Sequence, residues 1–590
     1  MKKKSIYLIV ALVVLNIQSC KDFLKEELVS DVSAAYYASA AGLEDAVDAT
    51  YYYLKYVHSN ERAYSLTVFG TDTYTNGADG GHKGFNWYDA TLRADNSVLR
   101  EMFEYLYQGV NQANAVIGRA DAVTDMDAAT KKIRVAEAKF LRAYYYFTII
   151  RQWGSADLRL EETIGAVVTA NKTSAEEVYA QAIIPDLTAA IADLPVSQSN
   201  YGRATKGAAQ HLMGMALLTR GWLTNSTQDF VDAEKYFTDV IGSGTYKLVD
   251  SHAELWDQSK QNNKEIIFSV QNSTDVLLNS GGDGVAPGEG NRGHLYFLMQ
   301  YDNQPGMVRD IANGRPFKRF RPTSYLLDLW GASRDIDNRY DQTYKKVWYC
   351  NGNNTAFLWT QAYVDAGAIK SWNGNTPVYV TAADIGKPRL TIGDTAVYIP
   401  GPGREAVWTS AKRAATRYQV ILRTDAGKDY YNEFQFAHIK KFMDPLRPTI
   451  QWMEGSRDWF VFRLADTYLS RAEARFKQGK LPEARADVVF VRQRAAFPGV
   501  DMNNAANTPA TMTLDYLLDE RARELDGEQC RWYDLVRTGT LVTRVNQYNK
   551  EAANRVEAHF TRRPIIQNQL DRTQGGYEQN CGYPNAAPCN

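Results

Sequence analysis

Apolar residues recur every three or four positions over much of both ends of this chain. Between 131 and 151, Ile133, Ala136, Phe140, Tyr144, Phe147 and Ile150 fall on one side of a helix. The stretches 42–57, 98–118, 174–193, 205–221 and 229–241 carry the same period and predict five more helices. Gly242 and Gly244 close the last of them, as residues tolerant of positive φ do. The run 264–271 predicts a short strand. Between 272 and 440 the period fades; Gly, Asn, Asp and Pro become frequent, and the segment reads as loops and short strands set between helical blocks. Helical period returns at 463–479 and, past Leu481-Pro482, runs to 495.

That last pair has a specific pattern. Ala472 and Ala484 flank the turn, with Tyr468 four positions before the first and Val488 four after the second. Small residues at these offsets let two antiparallel helices approach closely, which is the tetratricopeptide arrangement. The helices at 207–221 and 229–241 form a more degenerate pair. One such pair cannot bury its own faces, so several must stack. The predicted fold is mainly α: stacked tetratricopeptide-like helical repeats with a loop-rich region containing short strands. The predicted organisation is 1–19, 20–250 (helical), 251–440 (loop-rich, ligand-facing) and 441–590 (helical).

The first nineteen residues stand apart. Lys2, Lys3 and Lys4 precede an apolar run from Ile6 to Leu15. The run is about half the twenty or so residues that a helix needs to cross roughly 30 Å of hydrocarbon, and it reads as the core of a removable signal peptide. Ile17-Gln18-Ser19 leads into Cys20, the arrangement in which a lipoprotein peptidase cleaves and the cysteine is acylated; Ile17 and Gln18 depart from the usual box. Two or three acyl chains on Cys20 suffice for stable anchoring where one is marginal. Asp22, Glu26 and Glu27 follow, an acidic patch read as directing the chain to the outer face of an outer membrane.

Composition narrows the chemistry. The net charge is −1 and the basic residues are not clustered, which excludes a nucleic-acid binder, whose partner demands a positive footprint. The seven His form no HxxxH or HExxH pattern and no CxxC occurs, so neither a zinc site nor any cofactor is expected. Cys581 and Cys589 sit close together in the tail, and outside the cytoplasm either a bridged or a free state is open to them. Glu520, Glu524 and Glu528 share a helix face, where like charges repel unless partnered; Arg463, Arg521, Arg523 and Arg531 are the predicted partners. Gly288 to Gly293 spells GxGxxG, but no strand ends at its first glycine, so it reads as a loop. Asp335, Asp337 and Asn338 offer oxygens, yet no calcium loop with a terminal Glu follows. Aromatic residues make up 12% of the chain, with 12 Trp and 37 Tyr, more than a core alone calls for.

Several ordered motifs resemble the RagB/SusD family of surface glycan-binding lipoproteins of Bacteroidetes. They are CKDFLKEE at 20–27, AEAKFLRAYYYF at 136–147, TSAEEVY at 173–179 leading to DLP at 193–195, RLADTYLSRAEA at 463–474, ERARELDGE at 520–528 with RWYDLVR at 531–537, and PIIQNQ at 564–569 with QNCGY at 579–583. The resemblance covers nearly the whole chain and is weakest between 272 and 440. It implies about four stacked repeats beneath a variable loop region that binds oligosaccharide. It also implies a TonB-dependent, SusC-like barrel as partner, capped by a non-enzymatic lid. A secreted glycoside hydrolase, with two carboxylates across a cleft, and a scaffold for protein or peptide are the alternatives.

Sugars call for flat rings and for carboxamides or carboxylates. Asp72, Tyr74 and Asn76, and Trp87 and Tyr88, flank a glycine-rich loop and supply both. Tyr296 follows the 272–294 loop, and Trp348, Trp359 and Trp372 lie among Asn and Gly. Taken singly, each ring is better accounted for by core packing; taken as a set, some of them are expected to line the glycan site. By analogy with the family, Trp87 and Tyr296 are the first choices.

Overall fold

The computed structural model describes residues 36, 38–275, 278, 290–352, 357–423, 431–586, 588 and 589. Cys20, with Asp22, Glu26 and Glu27, and the first glycine of the GxGxxG stretch, Gly288, lie outside the described residues. The principal helices are α1 (Ala40–Tyr52), α2 (Glu61–Thr67), α3 (Gly84–Trp87), α4 (Ser97–Arg119), α5 (Ala128–Trp153), α6 (Ile184–Asp193), α7 (Lys206–Thr224), α8 (Thr227–Gly242), α9 (Leu464–Lys477), α10 (Leu481–Arg494), α11 (Leu514–Glu524) and α12 (Arg531–Arg537). No helix among the described residues is long and apolar enough to cross a membrane.

Local chemistry sets the helix ends. Side chains of Asn96, Asp127, Thr205 and Ser226 accept the free N–H groups at the starts of α4, α5, α7 and α8. Gly154 at φ 76° and Asn225 at φ 55° stop α5 and α7. The helix predicted over 174–193 carries Pro185, whose ring cannot follow a regular turn; a wide π-helical turn, Tyr179–Ile183, precedes it.

The helices pack in a chain of neighbours: α4 on α5, α5 on α6, α6 on α7, α7 on α8, α8 on α9 and α9 on α10. This is the predicted stack of repeats. Its close approaches rest on small residues. A Cβ on Gly109 of α4 would lie 2.7 Å from the Tyr145 ring of α5, and one on Gly214 of α7 would lie 2.6 Å from the Phe237 ring of α8. Ala472 and Ala484 are both fully buried. Bidentate Arg471–Asp487 bonds of 3.0 and 2.6 Å join α9 to α10, and Arg475 reaches Glu234 of α8 at 2.9 Å.

Strands are short. The predicted one is Ile266–Val270, paired antiparallel with Trp459–Arg463. Between the helical blocks, Tyr74–Asn76 pairs with Phe320–Pro322, and Thr395–Tyr398 lies between Val347–Tyr349 and Gln419–Val420. The hairpin Ile369–Asn373 with Thr376–Tyr379 turns through Gly374 at φ 58°. One hydrophobic cluster reaches from Leu54 to Tyr583 and includes Tyr296, Trp330, Trp348 and Phe442, so the loop-rich region shares the core of the repeats.

A buried ion network runs through this core, partly with the expected members. Glu524 holds Arg463 at 2.6 Å, Arg339 at 2.7 Å and His252 at 3.1 Å. Glu520 holds Arg339 and Arg492 at 2.7 Å and Arg523 at 2.8 Å, and Glu528 holds Arg463 and Lys441 at 2.7 Å. Two of the arginines go elsewhere. Arg521 pairs with Asp466 and Asp534 at 2.8 Å, and Arg531 pairs with Asp72 at 2.6 Å. Sequence spacing places charges on one helix but does not show which distant strand or helix brings their partners. The oxygen cluster at 335–338 is likewise spent on guanidiniums, Asp335 on Arg404 and Asp337 on Arg339. In the tail, Cys581 and Cys589 are bridged.

Candidate functional site: a pinned loop carrying Trp87

The glycine-rich loop after Asn76 is fixed by backbone bonds. Gly77 donates to the Arg319 carbonyl at 2.8 Å, and a Cβ there would lie 2.1 Å from the Lys318 carbonyl oxygen, so glycine alone fits. Ala78 and Asp79 donate to the carbonyls of Glu433 and Lys318 at 3.0 and 3.2 Å. Arg319 donates through Nε to Asp79 at 3.0 Å and also holds Glu61 of α2. His82 meets Ser65 Oγ at 2.7 Å and lies 3.6 Å from Glu61. Burial pushes the Glu61 carboxyl up, but Arg319 and His82 outweigh it and hold it below its ordinary range. Helix α3 then ends at Tyr88, in the left-handed region at φ 51°. That turn sends the Tyr88 ring inward, 5.0 Å from Phe560, with its hydroxyl donating to the Gly70 carbonyl at 2.5 Å. Trp87, one position earlier, remains half-buried, and the Lys83 ammonium lies 5.6 Å from its ring centroid. This loop is built to hold its shape, and Trp87 is the ring it leaves reachable.

The other expected contact residues are placed differently. Asp72 is fully buried; Arg531 reaches it with Nε and Nη2 at 2.7 and 2.6 Å, and Arg544 with Nε at 2.7 Å. Tyr74 and Tyr344 each donate to Asp526 at 2.6 Å. Asn76 donates to Glu551 at 2.8 Å. Tyr296 is enclosed by Tyr64, Phe317 and Phe320, with ring centroids 5.6 to 5.8 Å away. Trp348 is buried against His438 at 5.3 Å, and Trp359 sits in a small cluster with Ala368 and Val380. Asp72, Tyr74, Asn76, Tyr88, Tyr296, Trp348 and Trp359, expected on a ligand surface, are therefore buried in this structure and face protein partners. The reason is area: an aromatic ring buries roughly 150–250 Å², and turn-rich segments fold those rings onto the core. Trp372 is the opposite case, 62% exposed on its hairpin and remote in topology from the pinned loop.

Two aromatic groups escaped the sequence reading. Tyr56 stacks on Tyr105 at 3.8 Å, with Tyr52 edge-on to Tyr56 at 5.4 Å. Their helical spacing made them look like core. Tyr398, Trp408 and Tyr418 come together at 5.4 to 6.4 Å, on and between the paired strands Thr395–Tyr398 and Gln419–Val420. The signal for Trp408 was its position just past the turn-forming stretch 400–403, PGPG.

Stacked helix pairs that carry a loop-rich region in one shared core define a helical-repeat scaffold. A model of the SusD family matches residues 264–583, and one described as starch-binding, associating with outer membrane, matches residues 22–220. The chain belongs to the SusD family, as the ordered motifs imply. It is similar to a SusD-like protein of Bacteroides ovatus, 29% identical over 553 residues, 90% of this chain and 82% of that one. It is also similar to the starch-binding protein SusD of Bacteroides thetaiotaomicron, 24% identical over 80% of this chain and 76% of that protein. Among solved structures, a laminarin binding SusD-like protein superposes with a TM-score of 0.64 at 23% identity, covering 92% of this chain and 100% of that one.

Proposed function

We propose that the chain is a non-catalytic, lipid-anchored surface protein that captures an oligo- or polysaccharide and delivers it to a SusC-like TonB-dependent barrel in the outer membrane. Family membership over both halves of the chain carries this reading, and relatives described as starch-binding and laminarin binding support it. The pinned loop offers a ring and an ammonium for a sugar to meet, in Trp87 and Lys83. Binding is favoured over hydrolysis by the state of the strongest acidic motif. Glu520 and Glu524 are fully buried and locked to guanidiniums, which leaves neither free to transfer a proton across a cleft. Cys20 supplies the anchor. An array of plant, algal and host glycans probed with the purified protein tests the reading, with hits and no release of reducing sugar as the expected result. An array without hits, together with binding of peptide, would replace it with the scaffold reading. Replacing Cys20 with Ala is expected to move the protein from the membrane fraction to the soluble one.

A further inference from the structure

The group around Trp408 borders an open pocket of about 580 Å³ in the loop-rich region, within the range of small-ligand sites. Half-buried Tyr398 and Trp408 form its aromatic side, and Arg334, Lys346 and Arg404 face it with Asp335 and Asp341. We propose that this pocket is a second saccharide site, separate from Trp87, that takes an acidic sugar bearing a carboxylate or a sulfate ester. The proposal rests on the glycan reading above and adds a site and a ligand class to it.

The charge balance decides the class. Asp341 is shared by two cations, Arg334 at 2.9 Å and Lys346 at 2.8 Å, so one positive charge is left over. Burial pushes the Asp341 carboxyl up, but the bonds from Lys346 and Arg334 outweigh this and hold it below its ordinary range. Lys440 donates to the Asp341 carbonyl at 2.8 Å and brings a further ammonium near Lys346; burial, and to a lesser degree Lys346, lowers its pKa. Lys412 adds an ammonium 4.6 Å from the Trp408 ring. Asp335 pairs with Arg404, but both groups are solvent-exposed, and such a pair contributes little. Arg404 can therefore turn to an incoming anion at little loss. Glu405, beside it in sequence, shares Arg423 (3.3 Å) with Asp328 (2.5 Å), but Lys412 and Lys440 keep the neighbourhood positive. An anionic sugar would stack its ring on Trp408 and Tyr398 and place its charge on Arg404 and Lys346.

Calorimetric titration of the full-length chain with tetragalacturonate, a sulfated galactan tetramer and neutral galactotetraose tests this. The expected result is binding of one acidic tetramer, which identifies the acid group, at least tenfold tighter than the neutral one and weakening several-fold from 50 to 500 mM salt. Trp408→Ala should weaken it about thirtyfold, as loss of a ring anchor does. Arg404→Gln should weaken it about tenfold and flatten the salt dependence. Equal, salt-independent binding of the neutral tetramer, or no binding of either acidic one, overturns the proposal. Loss of acidic binding in Trp87→Ala but not in Trp408→Ala also overturns it, and leaves the glycan reading standing.

Discussion

Replacing Asp72 with Asn separates a structural role from a ligand-binding one. The carboxylate is fully buried between Arg531 and Arg544, and asparagine keeps its volume while removing its charge. Deleting one partner of a buried pair costs about 3–5 kcal/mol, because the surviving charge is uncompensated. Here the survivors keep other partners: Arg544 has Asp515 at 2.6 Å and Asp519 at 3.0 Å, and Arg531 has the Leu518 carbonyl at 2.6 Å. The lower end, about 3 kcal/mol, is therefore expected. Unfolding entropy of about 2.1 cal/mol/K per residue over roughly 550 residues gives about 1.2 kcal/mol/K, so Tm would fall by only about 2–3 °C. The urea midpoint is the sharper readout, measured beside glycan affinity per folded molecule. The expected outcome is a lower midpoint with unchanged affinity. An unchanged midpoint with lost affinity would instead place Asp72 on the ligand surface. Burial pushes the Asp72 carboxyl up, yet the two guanidiniums outweigh it and depress its pKa. Its contribution is thus intact above about pH 4 and is lost as the pH falls through the depressed value.

Ala472→Leu should overpack the α9–α10 contact and lower stability by about 1–3 kcal/mol; an unchanged urea midpoint would show that the repeat register is wrong. Burial lowers His58 to about 3 and His211 and His252 to about 4. Below about pH 6.5 the unfolded chain therefore takes up protons that the folded chain refuses, and stability should fall by up to about 1.4 kcal/mol per pH unit for each histidine. A series of urea melts from pH 7.5 to 5 checks this, and a flat midpoint across that range would contradict it.

The helical blocks were legible because 3.6-residue periodicity is a local signal: α4, α5, α7, α8, α9 and α10 all fall within a few residues of their predicted bounds. The ligand surface was not, because exposure is a property of tertiary packing. Trp87 and Tyr88 are adjacent and alike in sequence, yet one left-handed backbone turn at Tyr88 leaves the first reachable and buries the second. Asp72 looked like a sugar ligand because Arg531 and Arg544 approach it only through the fold. The same holds for Trp408, whose neighbours are Tyr398, at the end of one strand, and Tyr418, just before the strand Gln419–Val420 that pairs with it.

Trp87 is the ring on which glycan capture by the pinned loop depends. Calorimetric titration of wild type and Trp87→Ala with the glycan that scores best on the array, each beside a thermal melt, is the most direct measurement. The expected result is a loss of affinity of thirtyfold or more, about 2 kcal/mol, with Tm nearly unchanged because the half-buried ring leaves no core cavity. Unchanged affinity, or lost affinity together with a fall in Tm of several degrees, would contradict it: the first removes Trp87 from the binding surface, and the second makes it part of the core.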